Sequence, residues 1–308
     1  MRPRRVGVVD VGTNSTRLLI ADVGADGALR PVERRAQVTR LGGGVERTGM
    51  LAGDAVERTL AVLRSYRAAM DELGVTRTAG VLTSAARDAA NGPALLATIR
   101  DELGIDARTI PGDEEARLTY LGAVSADGPS ERDATTLVVD VGGGSTELVV
   151  GRGEQLLSHV STQVGVVRHS ERHLHADPSE PAELLALRAD VARTFAPYAR
   201  ADVDRAIAVA GTPTSCAAML LDLEPYDPDA VEGQPLRRSA LEELLTRTAA
   251  MTAAQRRRIR GLHPDRSATI VAGIAILLEA MAAFGLEVVL ASERDILIGA
   301  ALQAAGAS

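Results

Sequence analysis

The stretch VGVVDVGTNSTRLLI (6–20) recurs later in the chain as LVVDVGGGSTELVV (137–150). With Asp10 aligned on Asp140, Gly12 falls on Gly142, Ser15 on Ser145, Thr16 on Thr146 and Leu18 on Leu148. In each copy a β-branched apolar run ends at Asp, crosses a Gly-containing turn and resumes as a second apolar run, the pattern of strand, tight turn, strand. The repeat predicts two related halves, each built around a hairpin rather than a strand feeding a helix.

Outward from the repeats, the pattern alternates between strand and helix. Val56, Leu60, Leu63 and Met70 mark one face of a helix over 53–73 that stops at Gly74. A strand over 80–83, a helix over 93–103 ended by Gly104, an extended segment over 107–110 and a helix over 113–125 follow. The polar run ADGPSERD (126–133) reads as a linker. The second half continues with strands to about Gln163, helices near 166–173 and 181–199, and a strand over 206–210. A Gly-Thr turn at 211–212 then leads into a helix through Leu221, followed by two helices within 239–260. A strand over 288–290 and a last helix from about Glu293 close the chain. This order is α/β, with hairpins mixed among crossovers. The run 267–286 is almost long enough to span a bilayer, but it carries Glu279 and many weakly apolar Ala and Gly residues and lacks a basic flank, so it predicts a buried helix and no membrane span.

A length of 308 residues suggests two domains with ample core, and 46% apolar with 24% charged residues is a globular composition. A net charge of −7, no Trp, two Phe and four Tyr give neither the electrostatic footprint nor the stacking rings of a nucleic-acid binder. The single Cys216 excludes an internal disulfide and a Cys-rich zinc site, which fits a reducing cytoplasm. The basic stretch Met1–Arg5 precedes an apolar run broken by Asp10, too short and too polar for a signal peptide.

In the second copy, Gly142, Gly143 and Gly144 let backbone N–H groups converge on an anion, with the Ser145 and Thr146 hydroxyls as further donors. Asp140 and Glu147 at its ends would repel phosphate unless a cation or water lay between, which suggests Mg2+ binding and water activation. The plain alternative is a Gly-rich hairpin with no ligand, and the duplication argues against it. No Lys follows the glycines and no helix follows the turn, so Walker A and dinucleotide fingerprints are excluded. The first copy has Arg17 where the second has Glu147, and this asymmetry favours phosphoryl chemistry over passive binding.

Other signals are weaker. Asp113, Glu114 and Glu115 open a helix, where acids routinely serve the helix dipole. Arg87 follows a strand at a helix start, either facing an anion or lying on the surface. Gly211 and Thr212 either bind phosphate or cap a helix. His169 and His173 are spaced i,i+4, with His175 beyond; without HExxH or cysteine they read as a solvated helix end and predict no zinc. The run Arg256–Arg258 with Arg260 reads as a solvated face.

Taken together, VVDVGTNSTRLLI (8–20), TSAARDAAN (83–91), IPGDEEARLTYLG (110–122), VVDVGGGSTELVV (138–150), AVAGTPTSCAAM (208–219) and HPDRSATIVAG (263–273) resemble, in order, the exopolyphosphatase/guanosine pentaphosphate phosphohydrolase (Ppx/GppA) family. That family lies within the acetate and sugar kinase/Hsp70/actin superfamily. The resemblance implies two duplicated actin-like (ribonuclease H-like) domains, with mixed sheets flanked by helices and an interdomain cleft. Their expected ranges are 1–127, with the helix over 293–305 packing back on it, and 128–292. It implies a short member without the C-terminal HD-type domain of longer relatives, hence a bias towards short chains. The implied activity is exopolyphosphatase: hydrolysis of the terminal phosphoanhydride of inorganic polyphosphate. Guanosine pentaphosphate 5′-phosphohydrolase is the alternative, and a non-catalytic polyphosphate- or nucleotide-binding regulator the second. By the same resemblance Glu115 matches the catalytic base, Glu147 the residue aligning water, and Asp10 and Asp140 the metal-associated aspartates holding Mg2+ or another divalent cation. Asn14, Ser15, Arg87, Gly142–Thr146, Gly211 and Thr212 match the groups around the phosphates. Thr13 and Ala268 depart from the pattern, where Ser and Asp are frequent. A cytoplasmic homodimer is expected.

Overall fold

The computed structural model describes residues 4–25, 27–199 and 202–306, so of the basic N-terminal stretch only Arg4 and Arg5 fall within it. The chain divides into two compact units, Met1–Ser125 with Arg294–Ser308, and Ala126–Glu293.

The first unit runs β1 (Arg4–Val11), β2 (Ser15–Val23), β3 (Leu29–Val38), α1 (Val45–Thr48), α2 (Gly53–Glu72), β4 (Arg77–Leu82), α3 (Ser84–Asp88), α4 (Gly92–Leu103), β5 (Ala107–Thr109) and α5 (Gly112–Val124), and ends with the C-terminal helix. Its sheet has the order β3-β2-β1-β4-β5. The β1–β2–β3 meander is antiparallel, whereas β4 and β5 run parallel to β1. Both faces of the central strands are covered, which is why β1 and β2 read as continuous apolar runs. Val9, Val11, Leu18 and Ile20 pack with Leu63 and Met70 of α2, while Val6, Val8, Leu19 and Ala21 pack with Ile298 and Ala301 of the C-terminal helix. That helix approaches α5 so closely that a Cβ at Gly122 would lie 1.9 Å from the Asp295 carbonyl oxygen, and one at Gly299 2.0 Å from that of Leu118. The sequence pattern did not anticipate β3, an edge strand that is largely exposed and rich in charge, as edges commonly are.

The second unit contains α6 (Pro129–Arg132), β6 (Thr135–Val141), β7 (Thr146–Arg152), β8 (Gln155–Thr162), α7 (Val166–His173), α8 (Pro181–Phe195), β9 (Arg205–Val209), α9 (Gly211–Leu220), α10 (Pro228–Val231), β10 (Pro235–Arg237), α11 (Arg238–Ala249), α12 (Ala253–Arg256), α13 (Ile270–Ala283) and β11 (Val288–Ala291); the C-terminal helix is α14 (Ile296–Ala305). The sheet order is β10-β11-β9-β6-β7-β8, again an antiparallel meander (β6–β7–β8) joined to parallel strands. The expected linker 126–133 contains the helical turn α6, closed by Glu131 accepting from the Gly128 N–H at 2.6 Å. The apolar helix α13 is buried against α8 and α11, and its Glu279 accepts from Arg188 at 2.6 Å. Among the described residues no helix is long and apolar enough to cross a membrane.

The basic run 256–260 is not uniformly solvated. Arg256 is buried and donates to the carbonyls of Ser267 (2.7 Å), Thr248 (3.0 Å) and Met251 (2.8 Å), whereas Arg257, Arg258 and Arg260 are exposed. A guanidinium with several donors suits a crossing of carbonyl groups, and charge counting along the chain does not distinguish this use from a surface one.

Candidate functional residues on two related hairpins

The two repeats form hairpins of the same register. Asp10 faces Arg17 across β1 and β2, and Asp140 faces Glu147 across β6 and β7. Both turns are closed by one backbone bond, from the Gly12 N–H to the Ser15 carbonyl and from the Gly142 N–H to the Ser145 carbonyl, each 3.0 Å. In each unit the parallel strands deliver their following loops beside this turn. In the first, Leu82 at the end of β4 pairs with Val11, and the Thr83 N–H donates to the Val11 carbonyl. In the second, Val209 at the end of β9 pairs with Asp140, so the segment at Gly211 begins beside it. The carboxyl ends of parallel strands are where α/β folds gather ligand-binding loops.

In the first hairpin Asp10 is 4% exposed, and its Oδ2 accepts from Arg17 Nε (2.9 Å) and Nη2 (2.7 Å). Arg17 Nη1 donates to Asp295, whose other oxygen caps α14 by accepting from the Leu297 N–H at 3.0 Å. The second oxygen of Asp10, Oδ1, is buried and without a hydrogen-bond partner among the described residues. Burial pushes the Asp10 carboxyl above its ordinary value, and the Arg17 charge and hydrogen bond oppose that shift. Asn14 and Ser15 are half-buried in the turn; the Asn14 carbonyl is taken by the N–H groups of Thr39 (3.1 Å) and Arg40 (2.9 Å). Thr13, one of the two departures from the family pattern, accepts from the Ala85 N–H at 3.2 Å through Oγ1.

In the second hairpin the start of α7 takes up the carbonyls of the glycine loop. The Gly142 carbonyl accepts from the Val166 N–H (2.9 Å), that of Gly143 from Val167 (2.8 Å) and that of Gly144 from Arg168 Nε (2.9 Å). The approach requires Gly165, since a Cβ there would fall 2.4 Å from the Gly143 carbonyl oxygen. With carbonyls fixed on one side, the N–H groups of Gly143, Gly144 and Ser145 have no hydrogen-bond partner among the described residues. Gly142 differs, because its N–H closes the turn. Thr146 is fully buried, and its hydroxyl donates to the Val164 carbonyl at 2.7 Å. Thr146 and Glu147 are adjacent in a strand and face opposite ways. Glu147 is 1% exposed and its Oε1 accepts from Ser161 Oγ of β8 at 2.7 Å. Asp140 is likewise buried.

Arg87 and Glu115, 28 residues apart, meet: Arg87 Nη1 donates to Glu115 Oε2 at 3.0 Å and to the Ile110 carbonyl at 2.9 Å. Glu115 is buried, whereas its neighbour Glu114 pairs with Arg108, whose hydrogen bond and charge hold the Glu114 carboxyl below the usual range. The three acids at this helix start are thus not equivalent. Gly211 and Thr212 form the first residues of α9 rather than a turn before it. Ala210 before them has φ 73°, a strained conformation for a residue with a Cβ. Arg266, quoted in the motif 263–273 but given no role, donates to the Gly211 carbonyl and, at 3.0 Å, to Ser215 Oγ.

The histidine reading needs correction. His169 is not at a solvated end: it is 1% exposed, and burial pushes its pKa down to about 4. His173 Nε2 lies 3.0 Å and His169 Nε2 3.7 Å from Oδ2 of Asp190 on α8, while His175 is exposed. Asp190, Asp295, Ser161 and Arg266 are the positions that sequence reasoning missed. A lone acid, hydroxyl or Arg has no local signature, and each gains its partner only through tertiary contact.

The model of the Ppx/GppA phosphatase family matches residues 19–298. Exopolyphosphatase 2 of Mycobacterium tuberculosis is 38% identical over 98% of this chain and 99% of its own. The crystal structure of the Aquifex aeolicus Ppx/GppA family member superposes with a TM-score of 0.82 at 30% identity, covering 97% of each chain. An exopolyphosphatase from Cytophaga hutchinsonii superposes with a TM-score of 0.89 at 25% identity, covering 99% of this chain and 98% of its own. The two mixed sheets flanked by helices are the two-domain actin-like fold expected from the motifs. With the family's motifs and matching fold both present, the chain belongs to the Ppx/GppA phosphatase family.

Proposed function

We propose that the protein is an exopolyphosphatase, removing the terminal phosphate of inorganic polyphosphate. The observation that carries this reading is the second hairpin, where three N–H groups without partners among the described residues, at Gly143, Gly144 and Ser145, lie between the buried carboxylates Asp140 and Glu147. Such donors suit phosphoryl oxygens, and such acids suit a water that must lose a proton. The kinship with proteins named exopolyphosphatase supports the same reading.

In the reaction the water oxygen bonds to the terminal phosphorus, the bridging P–O bond breaks, and orthophosphate and a chain shorter by one unit leave. Glu115 is assigned as the base that takes the water's proton, with Glu147 aligning the water. Arg87 holds Glu115 in place and directs further N–H groups at phosphoryl oxygens. The loop amides, Asn14, Ser15 and the Gly211–Thr212 segment complete the phosphate contacts, and electrostatic stabilisation of this kind is the dominant contribution in phosphoryl transfer. Asp10 and Asp140 are the residues that would hold a divalent cation such as Mg2+. The buried, unpartnered Oδ1 of Asp10 fits that role, since Arg17 occupies the other oxygen. A bound divalent cation supplies charge neutralisation for phosphate oxygens. The working form is assigned as a cytoplasmic homodimer.

The test is orthophosphate release with Mg2+ from short-chain polyphosphate, long-chain polyphosphate and guanosine pentaphosphate at equal concentrations of terminal phosphate. Release from polyphosphate, fastest on short chains, is expected. Release chiefly from the nucleotide replaces the substrate assignment, and binding without release from any of the three replaces enzyme with regulator. Glu115→Gln is expected to lower kcat by a factor of about 10²–10⁴ while polyphosphate binding persists. A variant rate near that of the wild type removes Glu115 as the base.

A further inference from the structure

We propose that His169, His173 and Asp190 form a binding site for Zn2+ that clasps α7 to α8, separate from the acids assigned to the phosphates. Each offers a ligand atom, and the three atoms lie within 4.8 Å of one another. His173 Nε2 is 3.0 Å and His169 Nε2 3.7 Å from the same oxygen, Asp190 Oδ2. Ligands of a tetrahedral zinc ion at ordinary bond lengths stand about 3.3 Å apart, so small side-chain shifts bring the set to bonding geometry.

The independent observation is the His169 ring. Its Nε2 is buried and has no hydrogen-bond partner among the described residues, yet it lies 3.7 Å from the Asp190 carboxylate in a residue 1% exposed. A buried ring nitrogen left without a partner is costly, and a metal ion would relieve it. Asp190 is already oriented for the task. Arg193 donates to its Oδ1 at 2.7 Å, which turns Oδ2 towards the histidines, as supporting hydrogen bonds do for metal ligands. Three contacts must yield on binding, the first being the 3.0 Å hydrogen bond between His173 Nε2 and Asp190 Oδ2, which gives way as both atoms turn to the metal. Arg172, at 3.2 Å from Oδ2, sits on an exposed side chain that can turn to solvent. The Gly165 N–H approaches His169 Nδ1 at 3.3 Å, the long end of the hydrogen-bond range, and is displaced when the ring carries its proton on Nδ1 and gives Nε2 to the metal. Two imidazoles and one carboxylate suit zinc rather than Mg2+, which prefers oxygen ligands. The clasp lies on the helix whose first residues hold the Gly142–Gly144 carbonyls, so occupancy would steady that loop.

The experiment titrates the full chain with Co2+ and then Zn2+ in excess Mg2+, reading visible Co2+ absorption, bound metal per chain and Tm. Wild type is expected to take up one ion per chain, show histidine-ligated Co2+ bands that Zn2+ bleaches, and gain thermal stability. His173→Ala and Asp190→Asn, both at positions outside the deep core, are each expected to weaken uptake by more than about tenfold and to lose the Tm gain. Absence of uptake by wild type in excess Mg2+, or uptake unchanged in both variants, overturns the site. These readouts need no turnover, so they stand or fall apart from the phosphatase assignment.

Discussion

Asp10 faces Arg17 across one hairpin, and Asp140 faces Glu147 at the same register of the other. The turn bonds match, and the strands on both sides match in direction. What differs is the turn, where Thr13 and Asn14 stand in place of Gly143 and Gly144, and, at the matching cross-strand position, the side chain and the residue that steadies it. Arg17 bridges Asp10 and Asp295, both buried, so the first hairpin carries a charge network that leaves one Asp10 oxygen without a hydrogen-bond partner among the described residues. Glu147 instead sits buried beside a carboxylate, where facing like charges are unfavourable, and receives a Ser161 hydroxyl. A duplicated backbone thus keeps its geometry while a single position assigns a charge-compensating role to one copy and an acid to the other.

Substitutions that make the copies alike sharpen that contrast. Glu147→Arg gives the second hairpin the charge pattern of the first, and kcat is expected to fall by a factor of about 10²–10⁴ with the fold retained by circular dichroism. Arg17→Glu does the reverse and places three carboxylates together in a buried site. A loss of about 3–5 kcal/mol in unfolding free energy is expected, read from denaturant midpoints; an unchanged midpoint would mean that the Arg17 network does not hold the first unit. Ser161→Ala, the smallest change, deletes the donor to Glu147 and is expected to cost about 0.5–1.5 kcal/mol, with a modest loss of rate.

The contrast itself was legible in the sequence, because Asp, Gly, Ser and Thr recur at matching offsets and Arg17 answers Glu147. The hairpins, the amphipathic α2 and the apolar α13 were legible for the same reason: local periodicity carries them. β3 was not, since its exposed charges hide the alternation of a strand. The Val164 carbonyl that receives the Thr146 hydroxyl was not legible either, since it comes from a loop 18 residues away. Asp295 meets Arg17 across 278 residues, and Asp190 reaches the histidines from another helix. Single residues of this kind become visible only when packing brings them to a partner. Arg256 shows the converse, a charge run concealing a buried donor to three carbonyls.

The most direct measurement is orthophosphate release and polyphosphate binding on the same preparation of Glu147→Gln, which keeps the shape of the side chain and removes its charge. Binding within a few-fold of wild type, with release lowered by a factor of about 10² or more, is the predicted result. Release near the wild-type rate would contradict the assignment of the acid chemistry to the second hairpin.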